Sequence, residues 1–261
     1  MSELLWDFSE KAEDKARIYR FYHINSKHSP RTQSFQAPKV NYSKVLQEES
    51  GYPVVAKVPY LEEITDNGYT LYQSLMERRT SWKFQRAAMT DEEIIRFLLY
   101  SFGISDKGQN TKTYPSGGRM YPVEIFLIPN TKINESSQIF HSDKVYRYNV
   151  FSREIEVVAE GEISKLDSLT SSTQIGTMSF ADTQFLICLV GNFMQINEKY
   201  HSLTYRLIQM ELGHIGQNIM LTAAMMKLNT VPLGGFFEDR VNQYLHIDGI
   251  KKQTLYVFAL G

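Results

Sequence analysis

The chain has 261 residues, 43% hydrophobic and 22% charged, with a formal net charge of -1, enough apolar side chain for one substantial core. So even a balance excludes attraction of the whole surface to nucleic acid or to an anionic membrane. Binding must be local. The single cysteine, Cys188 in "QFLICLVGNF", excludes an intramolecular disulfide and reads as a small buried hydrophobe on a strand rather than a nucleophile.

The opening "MSELLWDFSEKAEDKARIYRF" is charged throughout, and no apolar run approaches the roughly 18 residues that span a bilayer, which predicts a cytoplasmic protein. Residues 1–66 mix polar residues, prolines and aromatics without a sustained period and are expected to form a wrapping arm ahead of one domain over 67–261. His23 and His28 lack further ligand residues nearby, so no metal site is expected.

"YTLYQSLMERR" predicts a helix, and "TDEEIIRFLLYSFG" a second, opened by Thr90 and Glu93 in capping-box spacing and stopped by Gly103. Strands are predicted at "VEIFLI", "KVYRYNV", "EIEVVAEG", "QFLICLV" and "TLYVFAL", the second and third joined as a hairpin through "FSR". Tyr205, Ile208, Leu212, Ile215 and Ile219 step along one face of a long helix that Asn229 and Pro232 should end. Gly213, Gly216, Ala223 and Ala224 on that helix predict a close neighbour, since interior glycine otherwise costs about 1 kcal/mol. His214 on that helix could face a bound ligand or satisfy a hydrogen bond in the core, and the second reading is preferred. The whole predicts an α+β domain with a mixed or antiparallel sheet.

Three segments carry chemistry. Ser116, Gly117 and Gly118 form a bare turn before a buried strand, where backbone amides can meet a flat or anionic ligand or simply turn the chain. In "MERRTSWKF", Arg78, Arg79, Thr80 and Lys83 suit a phosphate, although a solvated basic helix end has the same composition. Gly234 and Gly235 in "TVPLGGFFEDRV" bare the backbone again. One planar phosphate-bearing ligand, flavin mononucleotide (FMN), would explain all three together.

The order "ERRTSWKF", "YPSGGRMYPVEIFLI", "LGHIGQNIMLTAA", "VPLGGF" resembles the flavin-dependent nitroreductase superfamily and, within it, the SagB-type azoline dehydrogenases that oxidise heterocyclised peptides. "YHINSKHSP" is similar to the segment with which such proteins often begin. The resemblance implies an α+β sandwich, an intertwined homodimer with FMN at the subunit interface and the long helix packed across the two-fold. It assigns Arg78, Arg79 and Thr80, with Lys83, to the phosphate and ribitol, Ser116 to Gly118 to the ring region, the Gly234–Gly235 backbone to N5, and Arg206 and Asn218 to the cofactor site. "NEKYHSLTYR" resembles the catalytic Lys-Tyr segment, which gives Lys199 and Tyr200.

Oxidising a thiazoline or oxazoline removes a hydride from one ring carbon and a proton from its neighbour. A tyrosine with a pKa of about 10 becomes a usable base beside an ammonium, and a desolvated lysine is an alternative base; the sequence leaves both open. Trp82 stands where the superfamily has a basic residue, and His201 and Leu203 replace a glycine and an arginine of the Lys-Tyr segment. The implied substrate is a precursor peptide already heterocyclised by cyclodehydratase partner proteins, with no nucleic acid or membrane partner. The competing readings are a general NAD(P)H-dependent nitroreductase and a flavin-free scaffold of a peptide-modifying complex.

Overall fold

The computed structural model describes residues 51–63, 70–84, 87–174 and 178–261. Most of the expected arm, His23 and His28 included, lies outside them.

Seven strands form one sheet in the order β1-β6-β5-β4-β7-β9-β8: β1 Val54–Lys57, β4 Val123–Pro129, β5 Lys144–Asn149, β6 Glu154–Glu160, β7 Phe185–Asn192, β8 Thr230–Leu233 and β9 Lys252–Leu260. Every pairing is antiparallel, and β5 and β6 form the expected hairpin. Strands β2 (Ile104–Asp106) and β3 (Thr111–Lys112) make a separate small ribbon. The α+β class is as expected. Strand β1, inside the expected arm, is the sheet's edge; its exposed Val54 and Val55 gave no alternating signal.

The central strands are buried on both faces, which is why "QFLICLV" is a continuous apolar run. Ile187 and Leu189 point into one core with Ile125, Phe258 and the long helix, whereas Leu186, Cys188 and Val190 point into the other with Phe126, Val231 and Val257. Cys188 is buried as expected, and burial alone pushes its thiol up to about 12.

Helix α1 (Leu71–Glu77) starts in a capping box of Thr70 with Gln73, and α2 (Asp91–Phe102) in the expected one of Thr90 with Glu93. Gly103 ends α2, its N–H bonded to Leu99 O at 2.8 Å, where a Cβ would collide with that same carbonyl. A single turn, α3 (Ser171–Gln174), precedes β7. Helix α4 (Phe193–Tyr200), which no period announced, runs almost directly into the long helix α5 (Thr204–Met225), and α6 (Glu238–Tyr244) covers the second core.

On α5, Ile208, Leu212, Ile215, Ile219 and Ala223 are buried. Tyr205, expected on this stripe, is instead 40% exposed and stacks on Phe193, ring centres 5.5 Å apart. His214 is exposed rather than satisfied in the core. Helix α5 stops at Met225, earlier than Asn229: Lys227 takes a left-handed φ of 56°, and Asn229 exchanges backbone hydrogen bonds with Gly261, so Pro232 falls within strand β8. Gly216 is the close approach the glycines predicted. A Cβ there would stand 2.9 Å from Phe258 Cζ and 3.1 Å from Tyr256 Cε1, whereas Gly213 has open space.

Phe258 is fully buried and cannot swing away. Gly216→Ala should therefore lose about 1–3 kcal/mol to overpacking, which outweighs a helix-propensity gain of about 1 kcal/mol. A lower melting temperature checks this; an unchanged or raised one would mean that the rings yield.

Candidate active site

The turn after β3 is a short 3-10 segment, Gly117–Arg119, with three left-handed residues in five: Gly118 at φ 61°, Arg119 at 58° and Tyr121 at 48°. Such backbone is costly for non-glycine residues and persists where surroundings hold it. Here the Ser116 hydroxyl accepts from Tyr121 N–H at 2.8 Å, Tyr121 Oη accepts from Lys112 N–H at 3.1 Å, and the Gln195 amide donates to Met120 O.

Facing the turn are the ends of two side chains from α4. A Cβ on Gly118 would collide with Tyr200 Oη and stand 2.7 Å from Lys199 Nζ; on Gly117 it would touch Leu207 at 3.5 Å. Lys199 Nζ lies 5.2 Å from the centre of the Tyr200 ring. The bare turn and the Lys-Tyr pair, more than 80 residues apart in sequence, thus form one site. Glycine at 118 is required twice, by its φ and by the two side chains against it.

The second glycine pair lies elsewhere. Gly234 and Gly213 both face open space across a solvent-open cleft of ≈ 360 Å³, lined also by Tyr205, Gln209, Phe236 and Gln253 to Tyr256. Gly235 O is fixed by Ser171, whose N–H and hydroxyl both donate to it at 3.0 Å. On α5, Tyr205, Gln209 and Gly213 face this cleft, whereas Leu207 and Glu211 face the first turn. At 100° per residue the mean directions of those two sets are about 180° apart.

The basic segment sits at the far end of β8 from Gly234. Thr80 bridges Thr230, and Ser81 N–H donates to Thr230 O at 3.1 Å. Arg79 Nη1 donates to Met76 O and Arg78 O, both at 2.8 Å, and so closes the end of α1; Arg78 is half-buried and Lys83 exposed. Arg78 to Lys83 and Gly234–Gly235 therefore share one edge strand. The Ser116–Gly118 turn is at the opposite end of the sheet: Thr230 is level with Leu260 and Val123 with Gly191, which pairs with Gln253. Seven residues of β9 separate those levels, about 23 Å at ~3.3 Å per residue.

Arg206 is half-buried on the first turn of α5. Asn218 holds the scaffold: its amide donates to Ser101 O at 3.3 Å and to Thr113 O at 3.2 Å, tying the end of α2 to the residue after β3. Among the described residues no group of three or more His, Cys, Asp or Glu gathers as for a metal ion, and no helix is long and apolar enough to cross a membrane.

Behind the first turn lies a buried pair that the motifs did not reveal, Lys112 and Glu211. Burial pushes the Lys112 ammonium down to about 7, partly offset by Glu211 and Glu124; burial pushes the Glu211 carboxyl up to about 7, against the pull of Ser116, Lys112 and the Val123 N–H. Glu211 carried a weak signal, a carboxylate beside Leu212 on an otherwise apolar face. Lys112 carried none.

The pair predicts a pH dependence. Glu211, raised from 4.5, contributes stability that is full below 4.5 and lost as pH rises through its folded value; Lys112, lowered from 10.5, contributes stability that is full above 10.5 and lost as pH falls towards its own. Denaturant midpoints of the wild type minus those of a Lys112→Met/Glu211→Gln double variant should pass through a minimum near neutral pH. A flat difference would contradict the pair's burial.

Residues 75–261 match the nitroreductase family, and the chain belongs to that family. It is 26% identical to a Methanocaldococcus jannaschii protein assigned as a nitroreductase, MJ1384, over 78% of this chain and 94% of that one. It is 30% identical to the microcin B17-processing protein McbC of Escherichia coli over 59% of this chain and 56% of McbC. The fold is shared with a chain of the E. coli microcin synthetase McbBCD complex with truncated pro-MccB17 bound (TM-score 0.63, 22% identity, 97% of this chain and 94% of that one). It is also shared with an Exiguobacterium sibiricum nitroreductase-fold protein in complex with FMN (TM-score 0.51, 12% identity, 76% and 90%).

Proposed function

We propose that the chain is a SagB-type, FMN-dependent dehydrogenase that oxidises thiazolines or oxazolines in a heterocyclised peptide, and that it works as a homodimer beside cyclodehydratase partners. The observation that carries this reading is the convergence of Lys199 Nζ and Tyr200 Oη on the bare Gly118. The 30% identity to McbC supports a peptide substrate, and the McbBCD neighbour supports partner proteins.

The residues present fit FMN. Gly234 and Gly213 leave backbone uncovered over a cleft wide enough for a ring system, and Arg78 to Lys83 bring cations and hydroxyls to the same edge strand. Bound there, FMN would supply the hydride acceptor. The chain's own residues do the rest: Gly234 and Gly235 present backbone to the ring, Arg78, Arg79, Thr80 and Lys83 neutralise the phosphate, and Tyr200 or Lys199 takes the ring proton. With the two glycine turns on nearly opposite faces of α5, one copy supplies the Gly234 half of a site and a second copy the Ser116–Gly118, Lys199 and Tyr200 half.

The purified protein should be yellow and release FMN on denaturation; a colourless protein that cannot be reconstituted would favour the scaffold reading. The M. jannaschii relative favours a general nitroreductase as the second reading. In that case NAD(P)H should reduce the flavin rapidly, and loss of Lys199 and Tyr200 should be tolerated.

A further inference from the structure

Helix α4 meets the Ser116–Tyr121 turn at two points. Near its start the Gln195 side-chain amide donates to Met120 O and lies 3.5 Å from Tyr121 O; one helical turn on, Lys199 Nζ and then Tyr200 Oη stand against Gly118. Residues four apart share a helix face, so Gln195 and Lys199 address opposite ends of one turn.

The end of β7 explains why a side chain is needed there. Its ladder with β4 carries on as far as Asn192 N–H, which donates to Pro122 O at 2.8 Å, but Phe193 N–H turns away to Lys251 O at 2.9 Å as the chain becomes helical. The Gln195 amide takes the next carbonyls in line. Met120 is 2% exposed, and among the described residues no other group donates to its carbonyl, which would otherwise be buried without a partner.

Both elements have ties of their own. Ile196, 1% exposed, anchors α4 in the main core, and the turn closes on itself through Arg119 N–H to Ser116 O at 3.1 Å and Tyr121 N–H to the Ser116 hydroxyl at 2.8 Å. What Gln195 adds is the link between them. The link matters because Lys199 and Tyr200 ride on the last turn of an eight-residue helix, which stops at His201 with a left-handed φ of 42°.

We propose that Gln195 is a positioning residue: its amide ties α4 to the Ser116–Tyr121 turn and so sets how Lys199 Nζ and Tyr200 Oη meet Gly118. Its effect on turnover rests on the azoline-dehydrogenase reading; its effect on placement does not.

The test puts 4-fluorophenylalanine at position 200 of the full chain, with fluorine where Oη meets Gly118, and reads the 19F resonance. Gln195→Met, which keeps the length and removes the donor, should shift or broaden that resonance while thermal unfolding stays cooperative; Asn197→Ala, on the exposed side of the same helix, should not. In chains that keep Tyr200, Gln195→Met should lower kcat for azole formation about tenfold to 100-fold, with KM and FMN content held to within about twofold. Should that variant fail to fold, Gln195→Asn decides, because it stays polar but is one methylene too short to reach Met120 O. An unmoved resonance overturns the proposal whatever the rate does, and so does an equal shift in Asn197→Ala or a moved resonance with wild-type kcat. If the wild type forms no azole, the fluorine signal still decides placement, and the failure then belongs to the enzymatic reading.

Discussion

Tyr200→Phe is expected to keep FMN bound and to lower azole formation by about 10²–10⁴-fold, the range for loss of a positioned general base. The variant removes one oxygen, the atom nearest Gly118, and leaves the ring that packs against the core. Lys199→Ala should act in the same direction, since its Nζ stands at the same glycine. Neither residue lines the Gly234 cleft, so in a homodimer, where both reach FMN only from the second copy, flavin content should hold while the rate falls. Mass spectrometry of the peptide, with flavin content measured on the same preparation, checks both. Wild-type turnover in both variants would remove the pair from the chemistry.

Gly118→Ala should be nearly as damaging without touching a reactive group. The added Cβ meets Tyr200 Oη and Lys199 Nζ, and a φ of 61° costs an alanine about 1–2 kcal/mol. Tyr200 is half-buried and packed against the main core, so the turn must open or the pair must leave it. The expected result is a loss of azole formation of about 100-fold or more, with a drop in stability of only about 1–2 kcal/mol. Melting and turnover measured side by side would separate these effects. A variant that melts lower yet turns over normally would mean that the closeness of Gly118 to the pair is incidental.

Much of this was legible in the sequence because the signals were local. The Thr90–Glu93 box and Gly103 fix α2 through backbone hydrogen bonds within a few residues; β4, β7 and the second half of β9 stood out because burial on both faces makes them continuously apolar, and the half-buried β5 and β6 because a three-residue link joins them as a hairpin. Edge strands β1 and β8 were missed: one is too exposed to alternate, and the other contains Pro232, which fits an edge strand but reads as a helix stop. The candidate site residues were visible as bare glycines, clustered cations and a Lys-Tyr dipeptide. Their grouping was not, because contact between Gly118 and Tyr200 is decided by how α4 crosses the end of the sheet. Nor could sequence separate the two glycine turns onto different faces of α5, or pair Lys112 with Glu211 across about a hundred positions.

The most direct measurement mixes FMN-loaded protein with a peptide bearing preformed azoline rings and follows its mass, wild type against Tyr200→Phe. Loss of two hydrogens per ring with the wild type, and none with a Tyr200→Phe protein of equal flavin content, is the predicted result. Equal conversion by both, or by neither although both carry FMN, would contradict a catalytic role for the groups gathered at Gly118.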